Sequence, residues 1–483
     1  MSTRSIIEWC CLGAASYTSC RYPRKLLLVF SACAAALATK RWWRRLLIKG
    51  ARNPLCTVSS QVLPAQEQIV DEFVRFIQRN QGDGCGILLV DSPKGRFEVA
   101  TGMLSSFSRQ EADSSTHFEI ASVAKTMIAY AVLKFCRKGL LPLDTEVCHW
   151  LSIEGLGAVT LRQLLMHTSG LPDFWSDPPV QTVSTWAEDF ERPSFVANPL
   201  SALWCYAVLA ICGNTFSLNS FFFRSVAAPL LRCSGSERIW APKDVLQIVF
   251  RDYPLSPPGN YHYADTNYII LGMVLEEIHK KPLHDLLHDE VFVPIGMSQT
   301  YLRFDYRNQV DYGAQDHMLS TRYRSKGAFR VGKFAWTFPD HSLALIPFLG
   351  TVPARYITAD WASGGVVSTA TDLCTFMKAV RGDQEMWETM TASLSLASSY
   401  GFGIKSVDLG ESYGRLLGHD GNGGACMYYW PQQDMIFAGT TNNNITNCRG
   451  FVQDMIASGR IGVPDGFSKT EASQEVSDCD ASV

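Results

Sequence analysis

The spacing of apolar residues along the amino-terminal half predicts alternating helices and strands. Residues 66–80 place apolar side chains at the three- and four-residue spacing of an amphipathic helix: Ile69, Val70, Phe73, Phe76 and Ile77. Residues 85–102 are typical of a strand, a turn containing Pro and Gly, and a second strand. A long helix is then predicted from near Ser122 to Gly139, with Pro142 just beyond its end.

Towards the carboxyl end the order of elements reverses. Residues 368–380 predict a helix that opens with a Thr369-x-x-Asp372 capping pattern. Residues 400–443 contain four short apolar segments separated by Gly, Pro and Asn turns, and a last helix is predicted over 449–460. We therefore predict an α+β fold, with an antiparallel sheet formed by both chain ends, flanked by helices, and an inserted, mostly helical region.

The two ends of the chain differ from this central pattern. Residues 1–62 hold one acidic residue, Glu8, many Arg and Lys, and an apolar run over 26–39, so we predict a targeting or anchoring segment outside the fold. A secretory signal, an organelle transit peptide and an interfacial membrane anchor all fit it, which leaves the localisation open among these. Residues 464–483 are polar and acidic and predict a disordered tail. The predicted folded domain is 63–463.

An apolar insert interrupts that domain. Residues 198–235 are rich in Cys, Phe and Leu and nearly free of charge. Three interpretations fit: a lid or membrane-dipping insert, a buried hairpin, or a stretch of the predicted coding sequence that the mature protein lacks. Residues 26–45 and 198–235 are the two candidate membrane contacts.

Composition narrows the function classes. The 483 residues are 47% hydrophobic and 18% charged with a net charge of −3, which argues against a nucleic-acid partner. The 15 cysteines include no Cys-x-x-Cys pair, so we expect buried free thiols instead of a zinc, haem or disulfide framework. His284 and His288 have the spacing of helical metal ligands, but Asp285 stands where a metalloprotease has glutamate, so no metal site is predicted.

The first candidate chemistry is a serine and a lysine at the start of a helix. Ser122 and Lys125 are three residues apart, so on a helix they lie on nearly the same face. A serine hydroxyl needs a nearby base to react, and a buried lysine favours the neutral amine that can serve as one. The helix start also favours negative charge. The same spacing equally suits an ordinary amphipathic helix.

Three further segments contain candidate polar residues. Residues 161–174 predict a helix closed by Gly and Pro. A Pro-Gly turn delivers Tyr261 and Tyr263 to the start of an apolar helix near Asn267, where a tyrosine could pack or exchange protons. His419 and Gly421 precede a strand, and the Gly-rich backbone would let a ligand approach main-chain N–H groups.

Together these segments resemble the serine beta-lactamase-like superfamily, in its class C beta-lactamase, D-alanyl-D-alanine carboxypeptidase and esterase branch. The matching motifs, in family order, are Ser122-x-x-Lys125, "LLMHTSGL" (164–171), "YHYADTNYIILG" (261–272) after Pro258-Gly259, and His419-x-Gly421. Residues 292–302 and 363–373 match other recurrent blocks. The resemblance covers about 65–463.

The resemblance implies a role for each matched residue. Ser122 would be the acylated nucleophile, Lys125 would activate it, and Tyr263 would be the base that exchanges protons with the serine and the leaving group. The backbone N–H groups of Ser122 and Asn422 would form the oxyanion hole, and His419 would line the site and orient substrate. The implied substrate is a small ester or short peptide, and no metal or organic cofactor is needed.

Two departures from the family pattern modify this expectation. Ala264 and Asp265 replace the usual serine and asparagine, and Asp265 would add negative charge near Lys125. His419 stands where beta-lactamases have lysine. Both argue against efficient beta-lactam hydrolysis, although Gly421 and Asp265 still belong to the predicted substrate-binding set. The main alternative function is that of a catalytically weak or inactive scaffold. The presence of all four motif residues, the serine, lysine, tyrosine and histidine, argues against it.

Overall fold

The computed structural model describes most of the predicted domain. The described residues are 56–58, 64–81, 85–102, 104, 111–174, 177, 239–252, 255–315, 328–331, 334–337, 359–394, 398–441 and 448–461. Residues 1–55, the insert at 198–235 and the tail at 464–483 lie outside these ranges, and the interpretations given for them remain predictions.

The strands are short and concentrated at the two chain ends. They are β1 (Cys56–Val58), β2 (Gly86–Ser92), β3 (Gly95–Thr101), β4 (Phe118–Glu119), β5 (Tyr301–Leu302), β6 (Phe304–Asp305), β7 (Val310–Asp311), β8 (Ala328–Val331), β9 (Phe334–Thr337), β10 (Val366–Ser368), β11 (Lys405–Asp408), β12 (Arg415–Asp420), β13 (Ala425–Trp430) and β14 (Met435–Thr440).

The α-helices occupy mainly the middle of the chain. They are α1 (Pro64–Gln81), α2 (Ala124–Arg137), α3 (Leu161–Leu165), α4 (Pro242–Asp252), α5 (Asp265–His279), α6 (Leu283–Leu287), α7 (Val293–Ile295), α8 (Trp361–Gly364), α9 (Ala370–Gly382), α10 (Gln384–Thr391) and α11 (Cys448–Ala457). As the capping pattern predicted, Thr369 accepts a hydrogen bond from the Asp372 N–H at 3.2 Å before α9.

One antiparallel sheet joins the two ends of the chain. Its seven strands run in the order β1-β3-β2-β14-β13-β12-β11, and β14 pairs with β2 at the seam. This confirms the predicted α+β fold with a sheet formed by both chain ends. The edge strand β1 pairs Cys56 with Thr101, so residues 56–58, which we had assigned to segment 1–62, belong to the sheet.

The sheet separates two apolar cores. In β2, Ile87 and Leu89 face the larger core while Leu88 and Val90 face the smaller one, as the two-residue period of a strand requires. Helices α1 and α11 cover the smaller core, where Phe73 packs edge-on against Phe451. Each fully buried side chain of this size contributes about 1.5–3 kcal/mol.

Helix α2 lies inside the larger core. All five of its predicted packing residues are buried: Met127, Ile128, Ala131, Val132 and Phe135. Thr126 and Lys125 are buried as well, so the first turn of this helix has no solvent-facing side. A buried lysine is costly unless it is paired, and its partners define the candidate site.

The cysteine prediction can be compared with the described residues. The free thiols of Cys85, Cys374, Cys426 and Cys448 are buried, as expected, whereas Cys148 is exposed. In the described part of the chain, we find no helix with the length and apolar character needed to cross a bilayer.

Candidate active site

The candidate nucleophile lies in a tight turn at the amino end of α2. Ser122 occupies a 3₁₀ turn, Ala121–Val123, and the regular helix begins at Ala124, two residues later than the predicted start. Ala121 has φ of +44°, a left-handed conformation that is uncommon for a residue with a Cβ atom. Such local strain is often found at functional sites, because the surrounding structure must hold it in place.

Lys125 is buried, and three oxygen atoms contact its side-chain nitrogen. Its Nζ donates to Ser122 Oγ at 3.0 Å and to the Ser363 carbonyl at 2.7 Å. Asp265 Oδ1 lies 2.5 Å from the same nitrogen, at the first residue of α5. The predicted serine and lysine are therefore in direct contact, and the carboxylate that departs from the family pattern is the charge partner of the lysine.

Tyr263 lies between two lysines. The Nζ atoms of Lys125 and Lys405 are each 5.1 Å from the centre of its ring. Burial, and then the charge of Asp265, raise the pKa of the Tyr263 phenol well above its usual range, while the neighbouring Ser122 side chain acts in the opposite direction. The resting group is thus a neutral phenol, which can pass a proton on but is not a resting phenolate base.

The "LLMHTSGL" segment supports the chain around Tyr263. Gly170 has φ of +75°, and a Cβ atom there would come within 2.0 Å of the Ser256 carbonyl oxygen. Farther along, Thr266 Oγ1 donates to the Pro172 carbonyl at 2.6 Å, and the Asp265 N–H donates to Asp173 Oδ1 at 3.1 Å. The segment in which we predict a helix to end, residues 161–174, therefore also holds the chain that follows Tyr263 through hydrogen bonds.

His419 is buried in β12 with both ring nitrogens engaged. Nδ1 donates to the Asp420 carbonyl at 2.7 Å, so the neutral ring accepts the Tyr400 O–H at Nε2 over 3.1 Å. Burial, and then the nearby charge of Lys405, lower the pKa of His419 well below its usual range. Any substrate-orienting role of His419 would therefore act through Tyr400 and not through a free imidazole nitrogen.

Gly421 brings the sheet against the serine turn. A Cβ atom at this position would meet the Ile120 carbonyl oxygen at 2.2 Å, so only glycine allows this approach. The next residue, Asn422, is exposed, and its Oδ1 accepts the Gly423 N–H at 3.1 Å. This approach brings together the two segments that carry the Ser122 and Asn422 N–H groups, and the oxyanion hole made from them stays a prediction.

Lys405 is a site residue that the sequence did not reveal. Its Nζ lies 3.3 Å from Asp420 Oδ1, which also accepts the Tyr428 O–H at 2.7 Å. Burial lowers the pKa of Lys405. Burial raises the pKa of Asp420, but the charges of Lys405 and Arg449 outweigh it and bring that pKa to about 2. In the sequence, a lysine opening a short strand is only a weak signal.

The described side chains offer little to a metal ion. Within the described ranges, no group of three or more His, Cys, Asp or Glu side chains is placed to hold one. His284, one of the two spaced histidines, has Nδ1 2.9 Å from the Leu302 carbonyl oxygen and stacks on Tyr312.

The sequence of this chain is similar to a known protein family and to several curated proteins. The chain matches the family model described as beta-lactamase over residues 67–455. A penicillin-binding protein of Bacillus subtilis is 22% identical over 316 residues, 63% of this chain and 55% of that protein. Protein flp of Staphylococcus aureus is 29% identical over 243 residues, 49% of this chain and 38% of its own length. The chain thus spans about half the length of these curated relatives.

Solved structures give the same fold. The D-amino acid amidase of Ochrobactrum anthropi, complexed with L-phenylalanine amide, superimposes with a TM-score of 0.53 at 19% identity, covering 78% of this chain and 90% of that one. An octameric penicillin-binding protein homologue from Pyrococcus abyssi superimposes with a TM-score of 0.52 at 18% identity, covering 81% and 76% respectively. At these identities the likeness shows a shared fold.

Proposed function

This chain belongs to the beta-lactamase family, and from that premise we propose that it is a serine hydrolase that cleaves an ester or amide bond through an acyl-enzyme on Ser122. The observation on which this proposal rests is the 3.0 Å contact between the buried Lys125 Nζ and Ser122 Oγ. A nucleophile paired with a desolvated amine at a helix start is the arrangement that acyl transfer requires.

The proposed acylation moves one proton and exchanges one bond. Ser122 Oγ attacks the substrate carbonyl carbon while its proton passes to the neutral amine of Lys125. The Ser122 and Asn422 N–H groups hold the oxyanion. When the intermediate collapses, the bond to the leaving group breaks, and the leaving group takes a proton relayed through the Tyr263 phenol. Water then enters by the reverse route and releases the acid.

The proposed substrate is a small ester, amide or short peptide. The amidase and the penicillin-binding proteins among the structural and sequence relatives support this class. Asp265 replaces the family's neutral amide, and His419 has no free nitrogen to offer, so we do not propose efficient beta-lactam hydrolysis.

One observation favours a second function, a binding scaffold with little activity. Asp265 Oδ1 lies 2.5 Å from Lys125 Nζ, so the amine that would accept the Ser122 proton is already engaged in an ion pair. A protein held in that state would bind small acyl compounds without turning them over.

Covalent labelling separates the two functions. The full-length protein is treated with a fluorescent fluorophosphonate, beside Ser122→Ala and, as a control, Ser92→Ala, which removes a half-buried serine at the turn between β2 and β3. We expect label on the wild type and on Ser92→Ala, and none on Ser122→Ala. Folded wild-type protein that takes no Ser122-dependent label would reject the hydrolase and leave the scaffold.

If Ser122 is labelled, the rates at which the protein hydrolyses a panel of compounds identify its substrate class. A panel of short-chain p-nitrophenyl esters, D-amino-acid amides and peptides, and a chromogenic cephalosporin covers the alternatives. We expect turnover of esters or amides and weak or no cleavage of the cephalosporin. Efficient cephalosporin cleavage would contradict the argument drawn from Asp265 and His419.

A further inference from the structure

One buried histidine holds the backbone on both sides of Tyr263. The His167 carbonyl accepts the His262 N–H at 2.7 Å, and His167 Nδ1 accepts the Ala264 N–H at 3.1 Å. These are the residues immediately before and after Tyr263. A single residue thus fixes both peptide neighbours of the tyrosine, which restricts where its ring can lie.

The imidazole of His167 also packs on the phenol itself. The centres of the His167 and Tyr263 rings are 4.3 Å apart, with a 30° angle between their planes. On another side the His167 ring meets Tyr400 edge-on at 4.7 Å, and Tyr400 is the partner of His419. His167 therefore connects the tyrosine to the other polar groups of the site while remaining fully buried.

The hydrogen bonds of His167 define its proton position. Nδ1 faces the Ala264 N–H and, at 3.0 Å, Asn267 Nδ2, so it acts as an acceptor and the ring proton lies on Nε2. Burial, and then the charge of Lys125, lower the pKa of His167 well below its usual range. The neutral ring keeps its acceptor turned toward the Tyr263 segment.

The backbone of His167 supports a positioning function. Its φ is +56°, in the left-handed region, which is uncommon for residues other than Gly, although Asn, Asp and His adopt it more often than the rest. This conformation directs both the carbonyl and the side chain of one residue at the same neighbouring segment. A strained conformation is retained when the surrounding contacts require it.

We propose that His167 is a positioning residue for Tyr263, holding the phenol at the distance from Ser122 and the leaving group that proton transfer needs. His167 does not touch the substrate; it acts through Tyr263. The inference rests on the proposed function, since it assigns Tyr263 the proton relay to the leaving group. No reacting atom passes through the imidazole itself.

The chain allows a matched pair of substitutions. In His167→Asn, the amide oxygen can replace Nδ1 as acceptor for the Ala264 N–H, and asparagine tolerates the left-handed backbone. In His167→Gln, the side chain is one carbon longer, the acceptor is displaced, and the backbone is more strained. Both variants lose the ring contact, so the difference between them reports the support of Ala264 together with the backbone conformation at position 167.

Two acetate esters with different leaving groups provide the readout. p-Nitrophenyl acetate releases a stable phenolate, whereas phenyl acetate releases a poorer leaving group that depends more on protonation. We expect His167→Gln to lower kcat/KM about 100-fold for phenyl acetate and under about tenfold for p-nitrophenyl acetate, because small misplacements of a reacting group can cost that much. His167→Asn should recover at least about tenfold of the loss with phenyl acetate.

A control variant separates positioning from general loosening. Thr266→Val removes the buried hydrogen bond to Pro172, which ties the same two segments together without touching the neighbours of Tyr263. Thermal unfolding of all variants reports their stability. We expect Thr266→Val to lose stability and to keep the wild-type ratio of the two esters. An equal change of that ratio in Thr266→Val would reject the specific role of His167.

The remaining outcomes test the inference and its premise separately. Gln and Asn variants with equal rates, or equal losses on both esters, would overturn the role of His167 while leaving the hydrolase intact. A wild-type protein without Ser122-dependent fluorophosphonate label would reject the proposed function, and with it this inference.

Discussion

Two lysine–aspartate pairs lie beside the same tyrosine, and they differ in what else they contact. Lys125 and Lys405 are each 5.1 Å from the centre of the Tyr263 ring. The Lys125 side chain is 0% exposed and lies 2.5 Å from Asp265, whereas Lys405 is 27% exposed and lies 3.3 Å from Asp420. Of the two lysines, only Lys125 also contacts Ser122, the proposed nucleophile.

Proximity to Tyr263 therefore does not distinguish the lysine that we propose to be catalytic from its neighbour. Lys125 projects from the first turn of α2, one helical turn from Ser122, so it can exchange a proton with that hydroxyl. Lys405 projects from β11, and its partner Asp420 is shared with Arg449 at 3.7 Å. We therefore propose proton transfer as the role of the first pair and a stable charge network as the role of the second.

Removing each lysine in turn should produce the largest contrast. We expect Lys125→Met to slow fluorophosphonate labelling of Ser122 at least about 10³-fold, and Lys405→Met less than about tenfold, because general-base groups typically contribute 10²–10⁴-fold. Labelling rates are measured by in-gel fluorescence. Comparable losses in both variants would remove the distinction between the pairs.

Stability must be followed in the same experiment. Lys125→Met leaves Asp265 without its cation in a largely buried position, which is destabilising. The double variant Lys125→Met/Asp265→Asn removes both charges and serves as the control. If it is folded and still unlabelled, the loss is chemical and does not come from unfolding.

We expect the Lys405–Asp420 pair to contribute to the free energy of unfolding. The pKa of Asp420 is about 2 in the folded protein, below its ordinary 3.8, so its ionised form stabilises the fold above the ordinary pKa. That stability is lost as the pH falls through about 2. Asp420→Asn should lower the free energy of unfolding by about 2 kcal/mol at pH 7, roughly 30-fold in the equilibrium constant.

Urea unfolding at several pH values checks this expectation. The difference in the free energy of unfolding between wild type and Asp420→Asn should shrink from about pH 4 downward, because the wild-type carboxylate becomes protonated. A difference that stays constant over that range would mean that Asp420 stabilises the fold through its shape or its Tyr428 hydrogen bond, and not through its charge.

The smallest expected effect is a gain of rate. Asp265→Asn restores the family's neutral amide and removes the carboxylate 2.5 Å from Lys125 Nζ. Without its ion-pair partner, Lys125 is released to accept the Ser122 proton, so labelling of Ser122 at pH 7 should rise about tenfold. Labelling rates between pH 5 and pH 9 check this. A slower variant would indicate instead that Asp265 itself takes a proton from Lys125.

Much of the architecture could be predicted from local pattern. Apolar residues at helical spacing located α1 and α2, and the short alternating segments near the carboxyl end located β11 to β14. Boundaries were less accurate, because the end of an element depends on tertiary contacts. The helix predicted from Ser122 begins at Ala124, since the preceding turn is held by Gly421 and its sheet.

The candidate site was predictable only in part. Motif order was enough to select Ser122, Lys125, Tyr263 and His419. Motif order could not show that both nitrogens of His419 are engaged, because its partner Tyr400 lies outside the motif.

The main helices and strands and the motifs could be recognised from the sequence, because each depends on the spacing of residues close along the chain. The sequence also determined the pairing of Ser122 with Lys125, since one helical turn separates them. The contacts between residues distant in sequence follow from the tertiary structure alone. They are the Ser363 carbonyl that accepts from Lys125, Lys405 beside the Tyr263 ring, and His167 bonded to the residue after Tyr263. Such contacts depend on strand register and loop path, which no local spacing specifies.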